Sequence, residues 1–112
     1  MAVIAKNLVP STILGASVGT LYTVPAVTRA VIQKATATNL DTVARTITVH
    51  LVPSGGSASD TNAILKAYPV PAAFTLDLPD LGSHVLEPGS TIQALASVAS
   101  MCSLRVSGVE VV

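Results

Sequence analysis

Apolar and polar positions alternate with a period of two in several stretches of the chain. In residues 42–52, Val43, Ile47, Val49 and Leu51 fall on one side, and Thr42, Thr46, Thr48 and His50 on the other. Successive side chains of a strand point to opposite faces, so this alternation predicts a strand with one face in a core. Arg45 interrupts the inward set, which predicts a place near the strand's start, where its guanidinium reaches water. Pro53 ends the strand because it brings no N–H to a ladder. Ser54-Gly55-Gly56-Ser57 follows as a loop. Further on, Phe74, Leu76 and Leu78 alternate with Thr75 and Asp77. Ile92, Ala94, Ala96 and Val98 share one side of residues 91–98, and Cys102, Leu104 and Val106 face away from Ser103, Arg105 and Ser107.

The segments between these are read from turn chemistry and β-branched content. Residues 27–38 form a strand that pairs with 42–52 as an antiparallel hairpin through Asn39-Leu40-Asp41. Residues 58–68 admit a short helix capped by Ser59 or Asp60, or a strand over 63–68. The β-like flanks favour the strand. His84-Val85-Leu86 is a short extended piece. Glu87-Pro88-Gly89-Ser90 is a turn in which proline presets φ and glycine accepts a positive φ. In the last strand, residues 101–112, the apolar phase moves after Gly108 to Val109 and Val111. That shift predicts a β-bulge at the glycine, or a four-residue tail that packs on another subunit. The N-terminal third is less regular, with Val3-Ile4, Thr12-Ile13-Leu14 and Leu21-Tyr22-Thr23-Val24 as extended pieces between Pro10, Gly15 and Gly19. Residues 1–15 read as an N-terminal arm seeking a neighbour or as an edge strand. The whole predicts one all-β domain over residues 1–112, an antiparallel, jelly-roll-like β-sandwich of roughly seven to nine short strands.

Composition sharpens this picture. Half of the 112 residues are apolar, yet Tyr22, Tyr68 and Phe74 are the only aromatic ones, so the core is aliphatic. Charged residues make up 11%, well under the usual quarter or so. A surface so poor in charge either takes its polarity from Ser and Thr or, the favoured reading, meets protein rather than water. Six basic and six acidic residues balance to zero and form no run or stripe. Phosphate binding needs clustered positive charge, so nucleic acid is not an expected partner. No apolar stretch reaches the ~18 residues of a membrane span, and residues 1–10 lack a signal peptide's layout. A mature chain made in a cytoplasm is the expectation. Cys102 is alone, shares a strand side with Leu104 and Val106, and reads as a small buried hydrophobe.

Catalytic patterns are scarce. Asp77 and Asp80 flank Pro79 at a strand end, where a solvated turn explains both acids. His50, His84 and Cys102 are not at metal-ligand spacing, and both histidines read as surface residues. Gly15-Ala16-Ser17-Val18-Gly19 matches the letters of a nucleophile elbow, but that device needs a buried parallel strand before it and a helix after it. Here β-formers follow up to Pro25. Ser54-Gly55-Gly56-Ser57 lacks the lysine of a phosphate loop. The absence of tryptophan argues against an aromatic sugar platform, leaving a carbohydrate-binding module as a lesser reading. The expectation is a binding protein, with no enzymatic activity, cofactor or metal. Its candidate contact residues are Val3, Ile4, Leu8 and Val9 in the N-terminal segment and Val109 and Val111 at the C-terminus.

Several segments resemble small structural proteins of tailed bacteriophages and prophages. They are Leu21-Tyr22-Thr23-Val24, Thr36-Ala37-Thr38-Asn39, the run from Thr46 through Pro53 to Gly56, the run from Val85 through Pro88 to Ala94, and Val106-Ser107-Gly108-Val109-Glu110. The resemblance implies a virion β-sandwich, either a decoration (cement) protein on the capsid exterior or a component of the tail, baseplate or fibre base. It implies the major capsid protein and the chain itself as partners, commonly as a homotrimer. It carries over no individual functional residue.

Overall fold

The computed structural model describes residues 2–112. Its strands are β1 (Val3–Ile13), β2 (Gly19–Thr23), β3 (Arg29–Asn39), β4 (Arg45–Val52), β5 (Ala63–Val70), β6 (Thr75–Asp77), β7 (Val85–Leu86), β8 (Thr91–Ala96) and β9 (Cys102–Val111). Two 3-10 turns, Asp60–Asn62 and Pro79–Leu81, interrupt them. One sheet has the order β1-β9-β3-β6, with β7 also on β3, and the other has β2-β8-β4-β5. All pairs are antiparallel: β1 with β9, β2 with β8, β3 with β6 and β7 and β4 with β5 form a nested set, and β3 with β9 and β4 with β8 join them into two sheets. A long hairpin wrapped over two sheets in this way is a jelly roll. Residues 58–68 combine both sequence readings, a single 3-10 turn over Asp60–Asn62 followed by β5.

The inner faces fill with small aliphatic side chains. Ile47, Val49, Ile92, Ala94 and Ala96 of the second sheet, and Ala30, Ile32, Ala35, Ala37, Leu104 and Val106 of the first, are all buried in one cluster. The N-terminal segment is one continuous edge strand, not an arm, because its residues from Val3 to Ile13 pair with β9. Pro10 fits there because an edge strand leaves one row of its backbone unpaired.

The expected hairpin between residues 27–38 and 42–52 does not form. β3 and β4 lie in different sheets. The reason is Asn39, buried at the corner. Its Nδ2 donates to the carbonyls of Val43 at 2.9 Å and Val70 at 3.0 Å, and its Oδ1 accepts the Asp41 N–H at 2.9 Å. The side chain thus satisfies backbone groups that a two-strand turn would have paired. Arg45, the first residue of β4, donates through Nε to Asp41 at 2.7 Å. That hydrogen bond holds the Asp41 carboxyl below the usual carboxylate range.

The predicted change of phase in the last strand is also absent. Cys102, Leu104, Val106, Gly108 and Glu110 alternate inward without a break. The irregularity lies in both neighbours. Ile32 pairs with Gly108 but Lys34 pairs with Ser107, so β3 carries one extra residue, Gln33. Lys6 pairs with Gly108 but Val9 pairs with Val106, so β1 carries an extra residue as well. Gly108 sits between the two bulges. A Cβ there would lie 2.1 Å from the Val31 carbonyl oxygen and 3.1 Å from Leu8 Cδ1. His50, expected at the surface, is buried because residues 57–62 fold over it. Its Nδ1 lies 3.1 Å from the Ser59 carbonyl and 3.0 Å from Asn62 Oδ1. Both partners accept, so Nδ1 carries the proton.

Replacing Gly108 by Ala forces a methyl against backbone on a central strand. A loss of about 3 kcal/mol or more is expected, from overpacking that rotamer changes cannot relieve. Denaturant midpoints of Gly108→Ala and wild type check this. A loss below about 1 kcal/mol would show that the β3 bulge can move aside.

A candidate protein-interaction surface

Residues directly opposite in a sheet share a face. Val3 stands opposite Val111, and Ala5 opposite Val109. Val109 in turn faces Val31, and Val31 faces Val85. Four strands therefore build one apolar set on the outer face of the first sheet. Val3 and Val85 are 64% and 55% exposed, and the valines between them are partly covered by their neighbours. Beyond the bulges the same face turns polar. Lys34 pairs with Ser107, Thr36 with Arg105 and Thr38 with Ser103. The Thr38 and Thr75 hydroxyls meet at 3.0 Å.

The apolar half ends at a shallow cavity of about 390 Å³ lined by Val27, Arg29, Pro88, Val111 and Val112. Val27 is 92% exposed and holds φ at 51°. A β-branched residue in that region is strained, since its Cβ crowds the backbone. Beside it Arg29 Nε donates to Glu87 at 2.7 Å, which keeps the guanidinium from standing as a free charge over the valines.

Of the residues singled out by sequence, Val3, Val109 and Val111 belong to this apolar set. Ile4 lies opposite Glu110 on the other face of β1 and is half-exposed. Leu8 and Val9 are corrected outright. Both are buried in the core, drawn in by the β1 bulge, and have no surface for a partner. Ala5, Val27, Val31 and Val85 were missed. Val31 and Val85 carried a detectable signal, since each sits in a stretch read as extended. Val27 was read as the start of the same strand as Val31, but β3 begins at Arg29 and Val27 lies on the turn before it.

Under the apolar half, the gap between the sheets is closed by charge. Glu110 is 8% exposed and points inward. Its carboxylate accepts the Tyr22 hydroxyl from β2 and the Lys6 ammonium from β1 at 3.2 Å. Lys6 Nζ also lies 5.8 Å from the centre of the Tyr22 ring. The hydrogen bond from Tyr22, then that from Lys6, holds the Glu110 carboxyl below its ordinary range. Burial, and then the same hydrogen bond, pushes the Tyr22 hydroxyl well up. The two shifts agree: the proton stays on Tyr22 and the charge on Glu110.

The candidate catalytic residues are not brought together. Ser17 is exposed in the loop between β1 and β2, both antiparallel strands, so the Gly-x-Ser-x-Gly letters do not make an elbow. Asp77 pairs with Lys34 at 3.6 Å on the polar half-face. His84 Nε2 meets the Asp80 carbonyl at 2.9 Å. Cys102 is buried, which pushes its thiol up. Among the described residues no group of three or more His, Cys, Asp or Glu side chains is placed to hold a metal, and no helix is long and apolar enough to cross a membrane.

Because the folded Glu110 carboxyl titrates below its unfolded value, its contribution is present above about pH 4.3 and is lost as pH falls through the folded value. Glu110→Gln is expected to cost about 1–2 kcal/mol at pH 7. It should also flatten the fall of the melting temperature between about pH 5 and 3. Parallel thermal melts of variant and wild type measure both, and an unchanged acid slope would remove Glu110 as the group responsible.

No protein-family model matches the chain, and no curated protein or solved structure matches it.

Proposed function

We propose that this chain is a structural subunit of a virion, a decoration protein that sits on the capsid exterior and clamps adjacent major-capsid subunits. The observation that carries this reading is the valine half of the first sheet's outer face, which four strands build and no element among the described residues covers. The jelly roll itself does not decide the matter, since capsid, lectin and other proteins share it. Three features support the reading beside the valine face: the low charge, the balance of the charges present, and the resemblance of several strands and turns to phage virion proteins.

The mechanism is burial of aliphatic area across subunit boundaries. Each methylene removed from water contributes roughly 0.8 kcal/mol. A few valines per copy give weak attachment, and several copies or contact points acting together give a firm one. Attachment of this kind would resist the outward pressure of packaged DNA. Val27 is the natural leading contact. Among the described residues it is the most exposed of the large apolar side chains, and it is held in a conformation that costs stability.

Cryo-microscopy of particles carrying the chain tests the location. Density on the head shell is expected; density confined to the tail or fibre base would replace this reading with its runner-up. Val27→Gly separates stability from attachment. It relieves the positive φ and removes no buried contact, so the isolated domain should gain about 0.5–1 kcal/mol. Occupancy on particles should fall several-fold. Unchanged occupancy would remove Val27 from the contact.

A further inference from the structure

Strand β1 leaves one half of its outer edge open and protects the other. Residues from Val3 to Lys6 pair with β9 in regular register, and the ladder is closed beyond them by mutual bonds between Ala2 and Val112 at 2.7 and 2.9 Å. Past Lys6 come the two register shifts and Pro10. Bulges, prolines and charges are how edge strands avoid pairing with other chains. Here they guard only the second half. In an antiparallel ladder, residues that exchange bonds with a neighbour alternate with residues whose N–H and C=O point away from it. Ala2 bonds to Val112, so Ile4 and Lys6 also bond to β9. The N–H and C=O of Val3 and Ala5 then point outward, and residues 3–7 are all exposed.

We propose that this open half-edge pairs with the same half-edge of a second copy, antiparallel, about a two-fold axis through Ala5. The proposal deepens the reading of the chain as an assembly subunit by naming one partner and its register. The segment is self-complementary in that register. Ala5 meets Ala5 of the second copy with no bulk at the axis. Val3 lies opposite Asn7 of the second copy, and Ile4 opposite its Lys6. No like charges stand directly opposite, and each Lys6 ammonium is already held by Glu110 of its own chain. Two chains of zero net charge do not repel at a distance. Pairing places the valine half-faces of both copies side by side, in one sheet ordered β7-β3-β9-β1 and then its mirror sequence. The contact uses a single edge of each chain, so it closes at two copies and does not propagate. Four or five residues a side make a small interface, so the dimer is weak in isolation.

The register is tested with single cysteines. Across the axis the two Ala5 Cα atoms would be about 5.5 Å apart, within disulfide reach. The two Val3 Cα atoms would be about 14 Å apart, out of disulfide reach. Native Cys102 is buried and does not compete. Under mild oxidation Ala5→Cys should give a cross-linked dimer, and Val3→Cys at least ten-fold less. Ala5→Pro removes only an outward N–H, so circular dichroism should stay native. Sedimentation equilibrium should show self-association weakened ten-fold or more. Equal cross-linking of the two cysteine variants, a trimer, or a wild-type monomer at millimolar concentration would overturn the pairing. None of these results touches particle attachment, which the occupancy measurement reads separately, so the two ideas fail independently.

Discussion

Gly108 is the place where three strands come closer than side chains allow, and the layout of the first sheet follows from it. The Val31 carbonyl approaches the glycine so nearly that a Cβ would overlap it, and Leu8 fills the space on the other side. Both neighbours meet this crowding with an extra residue. A bulge shifts register by one, and in a strand one residue exchanges the faces. Val31 is therefore outward below the bulge, while Ala35 and Ala37 are inward above it. The outer face divides at that level into valines on one side and hydroxyls and charges on the other. The apolar surface results from a local irregularity of the backbone as much as from composition.

The same glycine explains the buried charge. With no side chain at Gly108, the next inward side chain of β9 is Glu110, which reaches Tyr22 of the other sheet. An aliphatic residue there would leave the Tyr22 hydroxyl and the Lys6 ammonium without their acceptor. A carboxylate that accepts from both closes the gap with every partner satisfied, which is the condition for burying charge at tolerable cost. Among the described residues no buried side-chain polar atom lacks a partner.

Much of this fold was legible in the residues. The alternation in β4, β8 and the part of β9 before Gly108, and the turn from Glu87 to Ser90, with Gly89 at φ 84° and the Ser90 N–H bonded to Glu87, follow from period and turn chemistry alone. Other features were hidden because their causes lie in another segment. Val109 and Val111 look like a phase change when read along one strand; the bulges that matter are in β1 and β3. Asn39 looks like a hairpin turn because its long-range acceptor, the Val70 carbonyl, is 31 residues away. Leu8 and Val9 look like an arm because an adjacent apolar pair has no strand period, and a bulge is what lets both go inward. The candidate surface was half legible for the same reason: Val3, Val109 and Val111 are apolar where polar residues are expected, but only the pairing of four strands makes them one patch.

The distribution of charge says how such a surface meets a partner. Five ion pairs join Lys6 to Glu110, Arg29 to Glu87, Lys34 to Asp77, Arg45 to Asp41 and Lys66 to Asp60. The basic residues total six and so do the acidic ones, so Arg105 and Asp80 are left outside these pairs. The exposed pairs contribute little to stability, because water and salt screen them. Their consequence is the absence of a field: charge is cancelled locally, and no patch of one sign remains to steer an approaching molecule. On the proposed reading, association would proceed at the unassisted rate of roughly 10⁵–10⁶ M⁻¹s⁻¹ and depend weakly on salt. Specificity of the proposed contacts would then rest on what is left, the shape of the valine half-face and the backbone groups of an open edge. Both act only at contact. That suits a subunit that finds its place on a repeating lattice by many short-range encounters better than one that seeks a single charged target at a distance.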